Sequence, residues 1–351
     1  MNLHSAASKN SHFYQSLPKV DLHRHLEGSI RLTTLLEVRR AHGRPLPDTG
    51  KLPELVQVNP ADKYTSENFL SKFQTLRLFY RSPEIIDRIT RETIEDAAKD
   101  NVRYLELRFT PVALSRAGSF SLAEVMDWVV AAANETEQEY HIKTRLIASV
   151  NRQESLEQAA EVAQLAVDRR DKGIVGLDLA GNEAQLTGLP FAGLFKEARQ
   201  MGLHITIHAG EWGDAQNVRM AILDLEAERI GHGVRVLEDP EVVGLARERY
   251  TPFEVCITSN LQSGVIPQNT VHPLPRMLSL GLNATIHTDD PSISQITLGN
   301  EYEYACENLG LSLETLNNRI LAAANAAFLP ASEKDQLLKS LQAELTTVQS
   351  E

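Results

Sequence analysis

The sequence predicts a single (β/α)8 barrel, and three observations point there. Short runs rich in Val, Ile and Leu alternate along the chain with longer amphipathic stretches, as expected of buried parallel strands joined by helical crossovers. Eight such runs can be counted, the number that closes a barrel. The chain has 351 residues, 42% hydrophobic and 23% charged, with no linker or low-complexity tract. A barrel of this kind takes roughly 250 residues plus insertions, so one domain over 1–351 accounts for the length. A doubly wound open sheet is the alternative that the pattern alone leaves open.

The apolar runs fall at residues 20–23, 102–109, 144–149, 174–179, 204–207, 228–230, 253–257 and 283–286. Helical patterns at 121–138, 155–170 and 214–226 lie between them. The segment 31–97 is too long for one crossover. It carries a Pro-containing piece at 44–48, Pro53 and an apolar stretch at 69–80, and reads as helices inserted over the barrel mouth, a candidate lid. Phe69, Leu70 and Phe73 there are either core packing or a hydrophobic cover for a planar substrate. The tail, 312–351, has leucines spaced for amphipathic helices that pack on the barrel.

Composition excludes several classes of function. The net charge is −12 with no basic block, a poor match to nucleic acid or an anionic membrane. The two cysteines, Cys256 and Cys306, form no CxxC pair, which excludes a disulfide framework and argues against a thiolate zinc site. No apolar stretch approaches the roughly 18 residues of a membrane span. Residues 1–19 lack the apolar core of a signal peptide, so the expected location is cytoplasmic.

Polar residues of unusual type gather at the C-terminal ends of the predicted strands. His23 and His25 close the first, and Gly181 follows the fourth. His208 closes the fifth, with Glu211 three residues on. His232 follows the sixth, Ser259 and Asn260 the seventh, and Asp289 and Asp290 the eighth. In a barrel all these ends meet at one face, where catalytic sites form.

Alternate residues of a strand point the same way, so His23 and His25 project together while Arg24 points away. Two imidazoles side by side make half of a zinc site, and His208 and Asp289 complete a three-histidine, one-carboxylate set. The predicted cofactor is one Zn2+ per chain, with iron or cobalt able to use the same ligands. Such a set leaves room for a water, whose pKa zinc lowers from about 15.7 to roughly 7.

Hydroxide attack on a ring carbon then needs a proton donor. Glu211 is placed for that if burial keeps it protonated; otherwise it is a solvated loop glutamate. His232 is suited to orient the hydroxide and accept its proton, or is a structural histidine. Asp290 is suited to accept a hydrogen bond from a substrate ring, and Asp290 before Pro291 also reads as a helix N-cap. Gly181 lets a ligand approach the backbone, or is only a turn glycine. His4, His12, His42, His141, His204, His272 and His287 have no evident partners and read as surface or packing residues.

The segments PKVDLHRHLEGS, DLAGNE, HAGE, RIGHG, TSN and HTDDP occur in the order seen in adenosine deaminases, and the chain resembles that family from Leu17 to Pro330. The resemblance implies His23, His25, His208 and Asp289 as metal ligands and Glu211 as proton donor to ring N1. It implies His232 as the hydroxide-orienting histidine, Asp290 as the contact to ring N7 and Gly181 as the backbone contact to ring N3. The implied reaction belongs to purine metabolism: a purine nucleoside, adenosine or 2′-deoxyadenosine, loses its 6-amino group as ammonia and becomes inosine or 2′-deoxyinosine.

One departure stands at Glu27. Adenosine deaminases commonly carry aspartate there, against the ribose 5′-hydroxyl, whereas glutamate is frequent in the adenine deaminases. The segments TSNLQSGV and PSISQITLGNEY resemble the nucleoside enzymes. Adenosine is therefore the expected substrate, with free adenine or a modified nucleoside of the aminofutalosine type as alternatives. A catalytically dead binding protein on the same scaffold would have lost the metal ligands and the proton donor, and both are present. A two-metal amidohydrolase often carries a lysine at the end of the fourth strand, and residues 176–180 contain none.

Overall fold

The computed structural model describes residues 11–42 and 46–348. His4, most of the N-terminal stretch read for a signal peptide, part of the 44–48 piece and the extreme ends of the 1–351 and 312–351 spans lie outside the described residues.

Eight parallel strands form one sheet in sequence order: β1 (Lys19–His25), β2 (Val102–Phe109), β3 (Lys143–Asn151), β4 (Ile174–Ala180), β5 (His204–Ala209), β6 (Arg229–His232), β7 (Pro252–Val255) and β8 (Asn283–Ile286). The open seam lies between β8 and β1, and the chain just past β8 joins it. The His25 N–H donates to the Asp289 carbonyl at 2.9 Å, and the Asp289 N–H donates to the His23 carbonyl at 2.7 Å.

Lower in the seam, side chains replace the missing backbone ladder, since buried N–H and C=O groups must be satisfied. The Leu22 N–H donates to His287 Nδ1 at 3.0 Å, and His287 Nε2 sits 2.8 Å from the Thr285 hydroxyl. Asp21 accepts from the Thr288 hydroxyl at 2.7 Å and from Arg24 Nε at 3.0 Å. His287, which had no evident partner in the sequence, is thus a seam residue.

Several strands end one or two residues away from the sequence expectation, and two of these ends bear on the site. The run at 253–257 is too long: β7 stops at Val255 and a helix, Ile257–Gln262, begins. The buried carboxylate of Glu301 accepts the Ile257 and Thr258 N–H groups at 2.7 and 3.2 Å, which satisfies this helix's first donors and ends the extended chain. β6 runs to His232, two residues past the expected 230, so His232 closes the strand instead of following it.

The helices Leu122–Tyr140, Leu156–Val167 and Ala215–Leu223 start at side-chain caps from Ser121, Ser155 and Asp214. Between β1 and β2 stand the helices Leu32–His42, Leu52–Val56, Ser66–Leu76 and Pro83–Lys99. The last packs on β2 and on Leu122–Tyr140 as a barrel helix, whereas Ser66–Leu76 brings Phe69 and Phe73 to the mouth. After β8 the chain ends in Leu313–Ala326, which covers β1 and β8, and Ala331–Val348. No helix of the described residues is long and apolar enough to cross a membrane.

Candidate active site

His23 and His25 project from the end of β1 to the same side, as the alternation requires, and meet His208 from the end of β5 and Asp289 just past β8. One ligand atom from each of these four residues lies within 4.8 Å of the other three. His25 Nε2 and His208 Nε2 are 3.3 Å apart, and Asp289 Oδ1 is 3.2 Å from His23 Nε2 and 3.3 Å from His25 Nε2.

On His23 and His208 the other ring nitrogen is already engaged. His23 Nδ1 is 2.7 Å from Glu254 Oε2, and His208 Nδ1 is 2.9 Å from Asp178 Oδ1. A carboxylate at Nδ1 fixes the tautomer and leaves the Nε2 lone pair facing the cluster. The buried His23 Nε2 has no hydrogen-bond partner. Lone pairs and a carboxylate crowded this closely repel one another, and a divalent cation is what such a donor set fits. A second grouping, His232, Cys256 and Asp289, also comes close, but burial pushes the Cys256 thiol up, so it stays protonated.

Beneath the ligands the barrel interior is charged and closed to water. Glu254 accepts from Arg108 at 2.7 Å, from Arg229 at 2.6 Å and from the Thr206 hydroxyl at 3.0 Å. Arg229 also donates to Glu106 at 2.5 Å. A buried charge persists only when paired in this way, and the two arginines hold Glu254 ionised despite its burial.

Asp289 is held at both ends. Its Oδ2 accepts from the Ser259 hydroxyl at 2.6 Å, while its backbone sits in the left-handed region at φ +66°. His232, at φ +58°, shares that unusual conformation. Non-glycine residues in this region cost energy, and such residues gather at functional sites.

Glu211 follows β5, buried in the cavity wall. Its carboxyl is pushed well above the ordinary range by burial first, then by the negative charges of Asp289 and Glu183. His232 faces it, with Nε2 3.7 Å from Glu211 Oε2 and 3.9 Å from Asp289 Oδ2. Burial holds His232 neutral.

Asp290 is buried, and burial first, then the negative charges of Asp289, Glu27 and Glu211, push its carboxyl well above the ordinary range, a direction that favours a donor over the acceptor expected from the sequence. It makes no side-chain cap to the Pro291–Ser294 helix. Its Oδ1 is buried without a partner. Only glycine fits beneath it: a Cβ on Gly28 would lie 1.8 Å from that oxygen.

Glu27 forms a short 3-10 turn after β1. Its Oε1 accepts the Thr110 N–H at 3.0 Å, and its Oε2 is buried and unpaired. Gly181, at φ +90°, follows β4 in a conformation that favours glycine, as the turn reading expects, and it lines the cavity.

All eleven sequence-predicted site residues lie in or beside one cavity of about 370 Å³. His25, His208 and Asp289 line its floor with Glu27, Asp290, Glu211, His232 and Gly181, while Phe69 and Phe73 face them from the mouth. His23 lies just beneath, fully buried. Phe69 is also 3% exposed and part of the core, which fits the packing reading, while its face on the cavity places it where a substrate cover would stand.

The sequence reading missed the residues that hold the site in shape: Asp178, Glu183, Glu254 and His272. The first two lie inside DLAGNE, and Glu254 is a lone charge in an apolar strand, a signal that was available.

A family model described as adenosine deaminase matches residues 18–344. An adenosine deaminase of Clostridium botulinum is 36% identical over 335 residues, spanning 95% of this chain and 99% of that protein. Among solved structures, an adenine deaminase from Arthrobacter aurescens is similar with a TM-score of 0.86 at 26% identity, covering 94% of this chain and 99% of that one. The N6-methyl-AMP deaminase from Arabidopsis thaliana is similar with a TM-score of 0.83 at 30% identity, covering 95% and 98%.

Proposed function

Since the chain belongs to the adenosine deaminase family, we propose that it converts adenosine and 2′-deoxyadenosine with water to inosine and 2′-deoxyinosine plus ammonia, using zinc. Deaminase activity on adenine compounds is what its relatives and neighbours share. The observation that carries the reading is a buried carboxyl, Glu211, whose pKa burial pushes well above the ordinary range, in the wall of a cavity floored by His25, His208 and Asp289.

His23, His25, His208 and Asp289 would hold the zinc, which when bound supplies Lewis-acid activation of a water. The chain's own groups handle the purine. Glu211 gives its proton to ring N1, so the ring accepts electrons as C6 is attacked. Protonated Asp290 donates to ring N7, and the backbone at Gly181 meets ring N3. Phe69 and Phe73 cover the ring plane and exclude bulk water. The free oxygen of Glu27 is available to a ribose hydroxyl.

The deciding experiment is ammonia release from adenosine, 2′-deoxyadenosine, adenine and N6-methyl-AMP, measured side by side on the purified protein. Release from none of the four would overturn the deaminase reading. A kcat/KM for adenine or N6-methyl-AMP above that for adenosine would replace the substrate.

A further inference from the structure

His272 was unassigned in the sequence and touches neither the metal ligands nor the cavity. It is 2% exposed, at the end of the loop that follows the TSN helix. Its Nδ1 lies 3.2 Å from the Leu274 backbone nitrogen, and its Nε2 lies 3.3 Å from Asn260 Oδ1. Asn260 is fully buried and places Nδ2 3.1 Å from His232 Nδ1. The three side chains form one chain of hydrogen bonds from a backbone amide to the cavity.

A backbone N–H can only donate, and that fixes every later direction. Leu274 N–H requires a lone pair on His272 Nδ1. A neutral His272 therefore carries its hydrogen on Nε2 and donates it to Asn260. Burial keeps this ring neutral, pushing it down to about 3. The Asn260 carbonyl must then face His272, so its amide faces His232. With the carboxamide reversed, two N–H groups would meet at His272. The amide donates to His232 Nδ1, and a neutral His232 keeps its hydrogen on Nε2, the nitrogen that faces Glu211 and Asp289.

We infer that His272 and Asn260 are positioning residues that lock His232 as the Nε2–H tautomer, so that His232 enters the reaction as a hydrogen-bond donor and not as a proton acceptor. This revises the role expected of His232 from the sequence, and its part in turnover rests on the deaminase reading above. The tautomer itself does not depend on any substrate, and its measurement stands if the substrate assignment fails.

The test is nitrogen-15 NMR of histidine-labelled protein, with and without added zinc, the His232 resonances being assigned from a His232→Gln variant. The expected spectrum shows His232 and His272 as neutral rings with hydrogen on Nε2. Asn260→Asp presents an acceptor to both rings and should move the His232 hydrogen to Nδ1. That variant should lower kcat at least about 10-fold, with KM changed less than about 3-fold and zinc content unchanged. His272→Phe frees the carboxamide to turn, giving a mixture of His232 tautomers and a smaller loss. His272→Gln keeps an N–H towards Asn260 and should restore most of the activity.

Hydrogen on His232 Nδ1 in the unmodified protein overturns the inference, even if neither variant folds. So does an Nε2–H tautomer that survives Asn260→Asp in folded protein.

Discussion

Glu183 grips Glu211 by its backbone: Glu183 Oε1 accepts the Glu211 N–H at 2.5 Å and the Trp212 N–H at 2.9 Å, while Oε2 accepts the Gly210 N–H at 2.9 Å. Asn217 secures the same carboxylate at 3.1 Å. One side chain from the loop after β4 thus shapes the loop after β5, and its negative charge helps keep a proton on Glu211.

Glu183→Gln should therefore act twice. It loses acceptor capacity for three N–H groups, and it removes a charge that raises Glu211. The proton donor works below its own pKa and is lost as pH rises through it. With Glu183 neutralised that pKa falls, so the alkaline limb of the kcat profile should move to lower pH, with kcat down about 10-fold or more. An unchanged limb with unchanged kcat would show that the loop holds its shape without this grip.

Glu211→Gln keeps the size and removes the transferable proton. Positioned acid–base groups contribute roughly 10²- to 10⁴-fold, so kcat should fall at least about 10²-fold with bound metal unchanged. Metal analysis beside steady-state kinetics separates this from loss of the site. A Gln variant near normal kcat would place the proton donor elsewhere.

For the metal, we expect about one zinc per chain and loss of activity on chelation, restored by zinc. Asp178→Asn should weaken metal retention, because His208 would lose the carboxylate at Nδ1 that sets its tautomer. Outer partners of this kind are worth about 10- to 100-fold in affinity. Full activity in chelator, with no metal found in the protein, would sink the assignment.

How far the sequence could be read follows from where side chains act. The barrel was legible because its strands are buried on both faces and read as continuous apolar runs. The gathering of His23, His25, His208, Asp289 and Glu211 was legible because strand ends converge and HxH has period two. What stayed hidden depends on contacts between distant strands. Glu254 reaches His23 across 231 positions, and Glu301 ends β7 from 44 positions away. His272 gains meaning only through Asn260. The raised pKa of Asp290 was only partly legible: Asp289 is its neighbour in the sequence, but Glu27 and Glu211 reach it from other loops and leave no local pattern.

Buried neutral histidines should also set acid stability. His272 is held down to about 3 and His208 to about 4, burial being the first cause in both. The unfolded chain takes up these protons near pH 6.5 and the folded chain does not. Stability is therefore complete above about 6.5 and falls as pH drops towards 4. His272→Gln removes one such group. Urea unfolding of metal-free protein between pH 6 and 4 should show a shallower slope in this variant, by up to about 1.4 kcal/mol per pH unit, one proton's share. Equal slopes would mean that His272 titrates normally in the fold.

Substrate choice turns on Glu27. This residue lies two past His25, but the backbone has left the strand and turned into a 3-10 helix. Its Oε1 is committed to the Thr110 N–H, which anchors the carboxylate against the end of β2. Its Oε2 is buried in the same cavity without a partner. Leaving a buried acceptor unpaired is costly, and a site built to hydrogen-bond a hydroxyl discriminates against a ligand lacking one. Free adenine has no such group, and a ribose does. The kcat/KM for adenosine should exceed that for adenine at least about 10-fold, the factor that 1.4 kcal/mol supplies. Glu27→Gln keeps the length but exchanges one acceptor oxygen for an NH2 group. If that group turns to the cavity it cannot accept, and if it turns to Thr110 it opposes an N–H. Either way adenosine should lose more than adenine does. Equal losses on the two substrates would assign Glu27 to anchoring β2, and a wild-type preference for adenine would replace the nucleoside with the free base.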